Sequence, residues 1–168
     1  MATDVHKVAT ATFRLACPPS LPEAQIERFV AQVLSVEAFE GYLADPTTRV
    51  WVGRAENGAE LAGYTMVFFR EPSDPAVAAV VNQRPSAELS KCYVKEQYHG
   101  RGLANALLQT AVDAAIKAGV ASIWLGVNQD NIRAQRFYAK FGFKRIGTRQ
   151  FTVGERVMED YVMGRMMD

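Results

Sequence analysis

Two glycines flanking an arginine stand inside the hexapeptide Gln97-Tyr98-His99-Gly100-Arg101-Gly102. A β-forming run, Glu88 to Val94, precedes it, and an apolar, alanine-rich helical run, Leu103 to Ala118, follows it. Glycine has no Cβ, so the backbone of such a turn can approach a ligand closely. The first N–H groups of the following helix have no partner within that helix and lie at its positive end. The chemistry available there is anion binding, most naturally of a phosphate. A P-loop is excluded, because it needs G-x-x-x-x-G-K-[ST] and the chain has no such lysine and hydroxyl pair. A dinucleotide fingerprint is excluded as well: Asn105 stands where a third small residue is required, and no acidic residue follows a second strand at the right distance.

What remains is [Q/R]-x-x-G-x-[G/A] between a strand and a helix. This pattern resembles the pyrophosphate-binding motif of the GNAT superfamily of acyl-CoA-dependent N-acetyltransferases. A second segment, Asn131-Ile132-Arg133-Ala134-Gln135-Arg136-Phe137-Tyr138-Ala139-Lys140-Phe141-Gly142-Phe143, is similar to the other signature of that family, N-x-x-A-x-x-F-Y-x-K-x-G-F. It lies one strand after the first helix, in the family's order. Together the motifs and their strands cover roughly residues 86 to 146, a little over a third of the chain. The segment from Ala87-Glu88-Leu89-Ser90-Lys91 through Gly126-Val127, with the tail Phe151 to Met163, looks most like bacterial spermidine/spermine N-acetyltransferases.

Acetyl transfer from a thioester to an amine needs a neutral amine, a stabilised oxyanion and a protonated leaving thiolate. The resemblance implies that the acetyl-pantetheine arm adds to the strand edge at Cys92, Tyr93 and Val94, where backbone N–H groups also bind the thioester oxygen. It places the pyrophosphate on the amides of His99, Gly100, Arg101, Gly102, Leu103 and Ala104, with the Arg101 side chain adding charge. Tyr138 matches the tyrosine that faces the cofactor sulfur and is expected to protonate the thiolate, a phenol of pKa about 10 facing a thiol near 8.5. Without the motif it reads as a packing tyrosine. Asn131 caps its helix or binds the pantetheine amide, and Lys140 reaches the phosphates or stays solvated. Glu88 matches a position from which some members use a carboxylate base; otherwise it is an exposed strand-end glutamate. Ribosomal-protein alanine N-acetyltransferases carry a glutamate in W-L-E-V, where this chain has Trp124-Leu125-Gly126-Val127. Cys92 as an acyl-enzyme nucleophile lacks an evident base beside it. Direct transfer through a ternary complex is therefore the expected course. An acyl-CoA sensor without turnover is the alternative from another class.

Glu23, Glu27, Glu37, Glu40 and Asp45 cluster in the helical region that covers the acceptor side in this family. Carboxylates there favour a polyamine, but an ordinary solvated helix face is the better explanation of them. Polyamine is the leading acceptor; a protein N-terminus and an antibiotic amine are its rivals. The resemblance also implies a homodimer as one assembly state.

The chain has 168 residues, enough for one domain, 1–168, with a full core. Apolar residues make up 49%, charged residues 22%, and the net charge of +1 argues against a nucleic-acid surface. Cys17 and Cys92 show no CxxC or Cys/His spacing, which reads as free thiols of a reducing compartment with no metal site. No signal segment or long apolar run is visible, so a cytoplasmic, non-membrane protein is expected. His6 is expected in a mobile tail, and His99 to contribute its backbone.

The elements that position these residues follow from periodicity. Val8 to Leu15, rich in β-branched residues, predicts a first strand. Leu21 to Leu34 predicts an amphipathic helix capped by Ser20, and Ser35 to Leu43 a second, short one. Arg49 to Arg54 and Glu60 to Arg70 predict a hairpin around Glu56-Asn57-Gly58. Three prolines between residues 71 and 86 predict a long loop with one helical turn. Leu89, Cys92 and Val94 are spaced three then two, which predicts a β-bulge. Leu103, Leu107, Ala111, Ala114 and Ala118 give a helix face ended by Gly119. Ala121 to Val127 predicts a buried strand. Ala134, Phe137, Tyr138 and Phe141 stripe the last helix, and Phe143 to Val153 pairs with Arg156 to Met166 across Gly154-Glu155. The order, β-αα-βββ-α-β-α-ββ, is α/β. The resemblance implies a mixed, mostly antiparallel sheet with a splayed central pair of strands, flanked by about four helices.

Overall fold

A computed structural model describes residues 1–167. Three helices come first, α1 (Ala2–Ala16), α2 (Glu23–Val33) and α3 (Val36–Ala44), then strands β1 (Thr48–Arg54) and β2 (Leu61–Phe68). The short α4 (Pro75–Val80) precedes β3 (Ser86–Val94), and a single 3-10 turn (Glu96–Tyr98) leads to α5 (Leu103–Lys117). The chain ends in β4 (Ser122–Asn128), α6 (Ile132–Lys140), β5 (Lys144–Val153) and β6 (Arg156–Met166). The six strands lie in the order β1-β2-β3-β4-β6-β5. All neighbours are antiparallel except β3 and β4, joined through the crossover helix α5.

The parallel pair is short. Ser86, Ala87 and Glu88 pair with Ser122, Ile123 and Trp124, and beyond that point the ladder stops. Leu89 to Val94 and Leu125 to Asn128 therefore part, and the sheet opens at its centre. The spacing of Leu89, Cys92 and Val94 has the expected cause: the β2–β3 register shifts between Met66 and Val67, leaving Ser90 without an opposite residue. Because side chains alternate along a strand, the extra residue puts Glu88 on the same face as Lys91 and Tyr93. Leu89, Cys92 and Val94 take the other face.

Each sheet face is covered. Leu108, Ala111, Val112 and Ala115 of α5 pack with Leu89, Ile123, Leu125 and Tyr138 on one side. Val5, Val8, Phe13, Phe29 and Phe39 of α1 to α3 pack with Leu61 and Tyr64 on the other. The α5 packing face is thus rotated from the expected one; Ala118 is exposed.

The first strand expected at Val8 to Leu15 is a helix. Val5, Val8, Ala9, Thr12 and Phe13 are its buried residues, at the three-and-four spacing of an α-helix. Thr10 and Thr12 donate their hydroxyls to the carbonyls of His6 (2.9 Å) and Val8 (2.8 Å), so β-branched side chains are accommodated. Packing against the sheet outweighs local β propensity, which spans only about 1 kcal/mol. His6 accordingly sits in a helix, its Nδ1 2.6 Å from the Leu34 carbonyl, and not in a mobile tail. Pro22, not Ser20, is the N-cap of α2.

Candidate functional site

The turn before α5 closes with the His99 N–H donating to the Glu96 carbonyl (3.1 Å). That amide is therefore committed, which corrects its expected place among the phosphate ligands. The amides open to a ligand begin at Gly100. Gly100 and Gly102 have φ of +78° and +80°, a left-handed backbone that favours glycine. Gly102 is the N-cap of α5 and supplies no side-chain cap, so the first-turn amides are left for an external acceptor. A Cβ at either glycine would meet no protein atom within 4 Å.

Beside this turn lies a cleft of about 360 Å³, lined by Cys92, Tyr93, Val94, His99, Gly100, Gly102, Leu103, Ala104, Asn131 and Tyr138 among others. The structure thus brings nine of the eleven expected cofactor-binding residues, and Tyr138, to one cleft. Arg101 and Lys140 do not line it and are exposed. Arg133 does, a residue the motif leaves unspecified. Its Nη2 lies 3.3 Å from His99 Nδ1, while His99 Nε2 donates to the Val94 carbonyl at 2.8 Å. The His99 ring, expected to play no part, ties strand to loop and orients a guanidinium. Asn131 Oδ1 accepts the Ala134 N–H at 3.1 Å, which makes it the α6 cap and leaves its amide nitrogen for the cleft.

A second cavity, of about 390 Å³, opens on the other side of the parted strands. It shares Ala16, Tyr93, Asn131, Ala134 and Tyr138 with the first, so these residues stand where the two meet. Tyr138 is 9% exposed, and burial pushes its phenol well above the usual range. Burial likewise pushes the Cys92 thiol up to about 12, against a weaker opposing effect of Thr65. A thiol so held is a poor nucleophile at neutral pH.

Glu88 lines the second cavity with Lys91, Arg149 and Asp160. It is not the exposed strand-end glutamate of the alternative reading: its side chain is 23% exposed, with Arg149 Nη1 4.0 Å from its Oε1. Burial raises its pKa, partly opposed by Lys91, Arg149 and Arg70. Arg149 Nε donates to Asp160 Oδ2 at 3.2 Å. Lys91 is lowered to about 8, chiefly by burial, with Glu88 opposing and Arg149 reinforcing the shift. The acidic residues expected on the acceptor side do not line this cavity. Glu23 pairs with Arg14, and Asp45 accepts from Thr47 and pairs with Arg70 at 3.3 Å.

A testable stability effect follows from Lys91. Its folded pKa of about 8 lies below the usual 10.5, so folding disfavours the charged form. The penalty is fully present below about pH 8 and vanishes above about 10.5. Lys91→Met is therefore expected to stabilise the protein at pH 7 by about 1–3 kcal/mol. Denaturant unfolding at pH 7 and pH 10.5 measures it; the gain should shrink at the higher pH.

Among the described residues no group of three or more His, Cys, Asp or Glu side chains is placed to hold a metal ion, and no helix is long and apolar enough to cross a membrane.

An opened mixed sheet, a glycine-started helix at the opening and a tyrosine between two cavities define a class, and the comparisons agree with it. Residues 10–143 match the acetyltransferase (GNAT) family, and the chain belongs to that family as an acyltransferase. An uncharacterized N-acetyltransferase of Mycobacterium tuberculosis is 41% identical over 164 residues, 98% of this chain and 96% of its own length. Another, from Lactobacillus delbrueckii subsp. lactis, is 21% identical over 83% of this chain and 77% of its own. The PaiA N-acetyltransferase of Thermoplasma acidophilum, solved in complex with coenzyme A, shares the fold with a TM-score of 0.75. It is 19% identical, covering 99% of this chain and 92% of that one. The ribosomal-protein-S18-alanine N-acetyltransferase of Escherichia coli does so at 0.67 and 17% identity, over 99% and 88%. The narrower likeness to spermidine/spermine N-acetyltransferases finds no support in these comparisons.

Proposed function

We propose that the protein transfers an acetyl group from acetyl-CoA directly to a primary amine within a ternary complex. One observation carries this reading: two cavities, one reaching the free amides after Gly100 and the other lined by titratable groups, meet at Tyr138. The pyrophosphate would sit on the amides of Gly100 to Ala104, with Arg133 supplying the positive charge expected of Arg101 and Lys140. The pantetheine arm would run along Cys92 to Val94, where β3 has left β4 and its backbone is free to pair.

In the reaction Glu88 takes the first proton from the acceptor ammonium. The nitrogen lone pair then attacks the thioester carbon, and a β3 amide stabilises the oxyanion. As the C–S bond breaks, its electron pair stays on sulfur, which receives the Tyr138 proton; the nitrogen's second proton restores the phenol. The products are an amide, free coenzyme A and one proton released through Glu88. The raised thiol of Cys92 fits direct transfer better than an acyl-enzyme. A polyamine acceptor loses its motive here, because the carboxylates that favoured it lie outside the cavity. A reducing, cytoplasmic setting suits the free thiols of Cys17 and Cys92.

The reading is tested by calorimetric titration with acetyl-CoA and a thiol-release assay over a panel of amines. Cofactor heat together with release supports it; no cofactor heat overturns it. Glu88 adds a pH signature. With its pKa raised, the carboxylate exists only above that value, so kcat/KM should climb with pH through a step lying above the ordinary carboxylate range. Glu88→Gln should remove the step and lower kcat/KM by roughly 10²-fold. An unchanged profile in the variant would remove Glu88 from the mechanism.

A further inference from the structure

The acceptor cavity carries a charge arrangement that selects its amine, an inference that rests on the transferase reading above. We propose that the acceptor bears a carboxylate close to its amine on an apolar body, as an aromatic or branched amino acid does, and that Arg149 and Lys91 receive that carboxylate.

The first observation is what fills the space beside Gly126. A Cβ built there would overlap Nη2 and Cζ of Arg149. The site therefore presents a guanidinium where the W-L-E-V pattern would place a carboxylate. Asp160 engages only Nε, and Nη1 stands 4.0 Å from Glu88, at the limit of an ion pair. Among the described residues no acceptor is hydrogen-bonded to either η nitrogen, which leaves their donors for a planar anion, the geometry in which arginine binds carboxylates.

The second observation is Lys91. Its Nζ lies 3.2 Å from the carbonyl and hydroxyl oxygens of Ser90, and no carboxylate is within ion-pair distance among the described residues. Although burial lowers its pKa to about 8, it keeps its proton at neutral pH. The cavity thus holds two cations and two carboxylates. A polyamine would add cations beside Arg149 and Lys91, where screening is weak. A zwitterion adds no net charge. When its ammonium passes a proton to Glu88, the acceptor's own carboxylate replaces the charge Glu88 loses, and the balance of two against two is kept. Phe29 and Phe151 in the wall match an apolar side chain.

The test is thiol release from acetyl-CoA by the full chain, with L-phenylalanine and L-leucine against their carboxamides and against spermidine. The acids should exceed the amides in kcat/KM by tenfold or more, and spermidine should be the poorest acceptor. Arg149→Gln and Lys91→Met should each bring the acid-to-amide ratio toward one. An independent reading on the unaltered protein is inhibition: 3-phenylpropanoate should compete with the acceptor at a concentration at least tenfold below 3-phenylpropanamide. Turnover of amides or spermidine equal to or better than the acids overturns this inference and leaves the transferase standing. Absence of release from every acceptor overturns both.

Discussion

Exchanging Tyr138 for phenylalanine is expected to lower kcat by about 10²- to 10³-fold, the range that positioned proton donors supply, while acetyl-CoA still binds. The ring keeps its place in either residue. It packs against Phe137 and Phe143, with centroids 5.4 and 6.0 Å away, and phenylalanine preserves those contacts. Only the hydroxyl is lost, at the point where the two cavities meet. Burial holds that phenol protonated well above neutral pH, so it releases a proton only as it regains one from the acceptor nitrogen. In the proposed reaction it would act as a relay, with no free phenolate building up. Single-turnover thiol release with calorimetric affinity for acetyl-CoA checks this. An unchanged kcat would reduce Tyr138 to a packing residue, and turnover absent from the unaltered protein as well would point to a sensor.

The second large effect is expected at the helix start. Gly102→Val should weaken acetyl-CoA binding by about 100-fold or more, with folding stability lowered by roughly 1–3 kcal/mol. Nothing crowds a side chain at this position; the obstacle is the backbone. At φ +80° a β-branched residue is strained. Relief by rotation to negative φ would turn the first amides of α5 away from the phosphates. Gly58→Val is the matched control, since its φ is +68° and its Cβ also meets nothing, but it lies in the β1–β2 turn. Both variants should lose comparable stability, and only Gly102→Val should raise the KM for acetyl-CoA. Equal cofactor affinity in the two variants would show that the cradle does not bind the phosphates.

Lys91→Met joins the two themes. It is expected to gain stability and lose acceptor discrimination, as a charge buried for function would.

Local signals made much of this legible. The glycine pair announced a left-handed, uncapped helix start, because left-handed backbone and missing Cβ atoms are properties of residue type. The slipped spacing of Leu89, Cys92 and Val94 announced the bulge, because alternation is a local rule. The first helix was misread for the same reason. Thr10, Thr12 and neighbouring valines favour a strand when considered alone, and only the sheet they cover turns their three-and-four spacing into the deciding signal. Arg133 was passed over because its motif position tolerates many residues. Its partner His99 lies 34 positions away, so nothing local marks the pair.

From its residues alone the chain determined its GNAT membership, the order of its elements from α2 onward and the glycine turn that starts α5. Those depend on short stretches whose chemistry is carried by adjacent side chains and amides. The lining of the second cavity was decided only by tertiary structure. Glu88 shares a face with Lys91 because one extra residue at Ser90 resets the alternation. Arg149 reaches them because β5 pairs with β6, β6 with β4, and Gly126 leaves room for its guanidinium. Charges drawn from strands up to 72 positions apart (Glu88 to Asp160) acquire a joint meaning only once the sheet has placed them around one cavity.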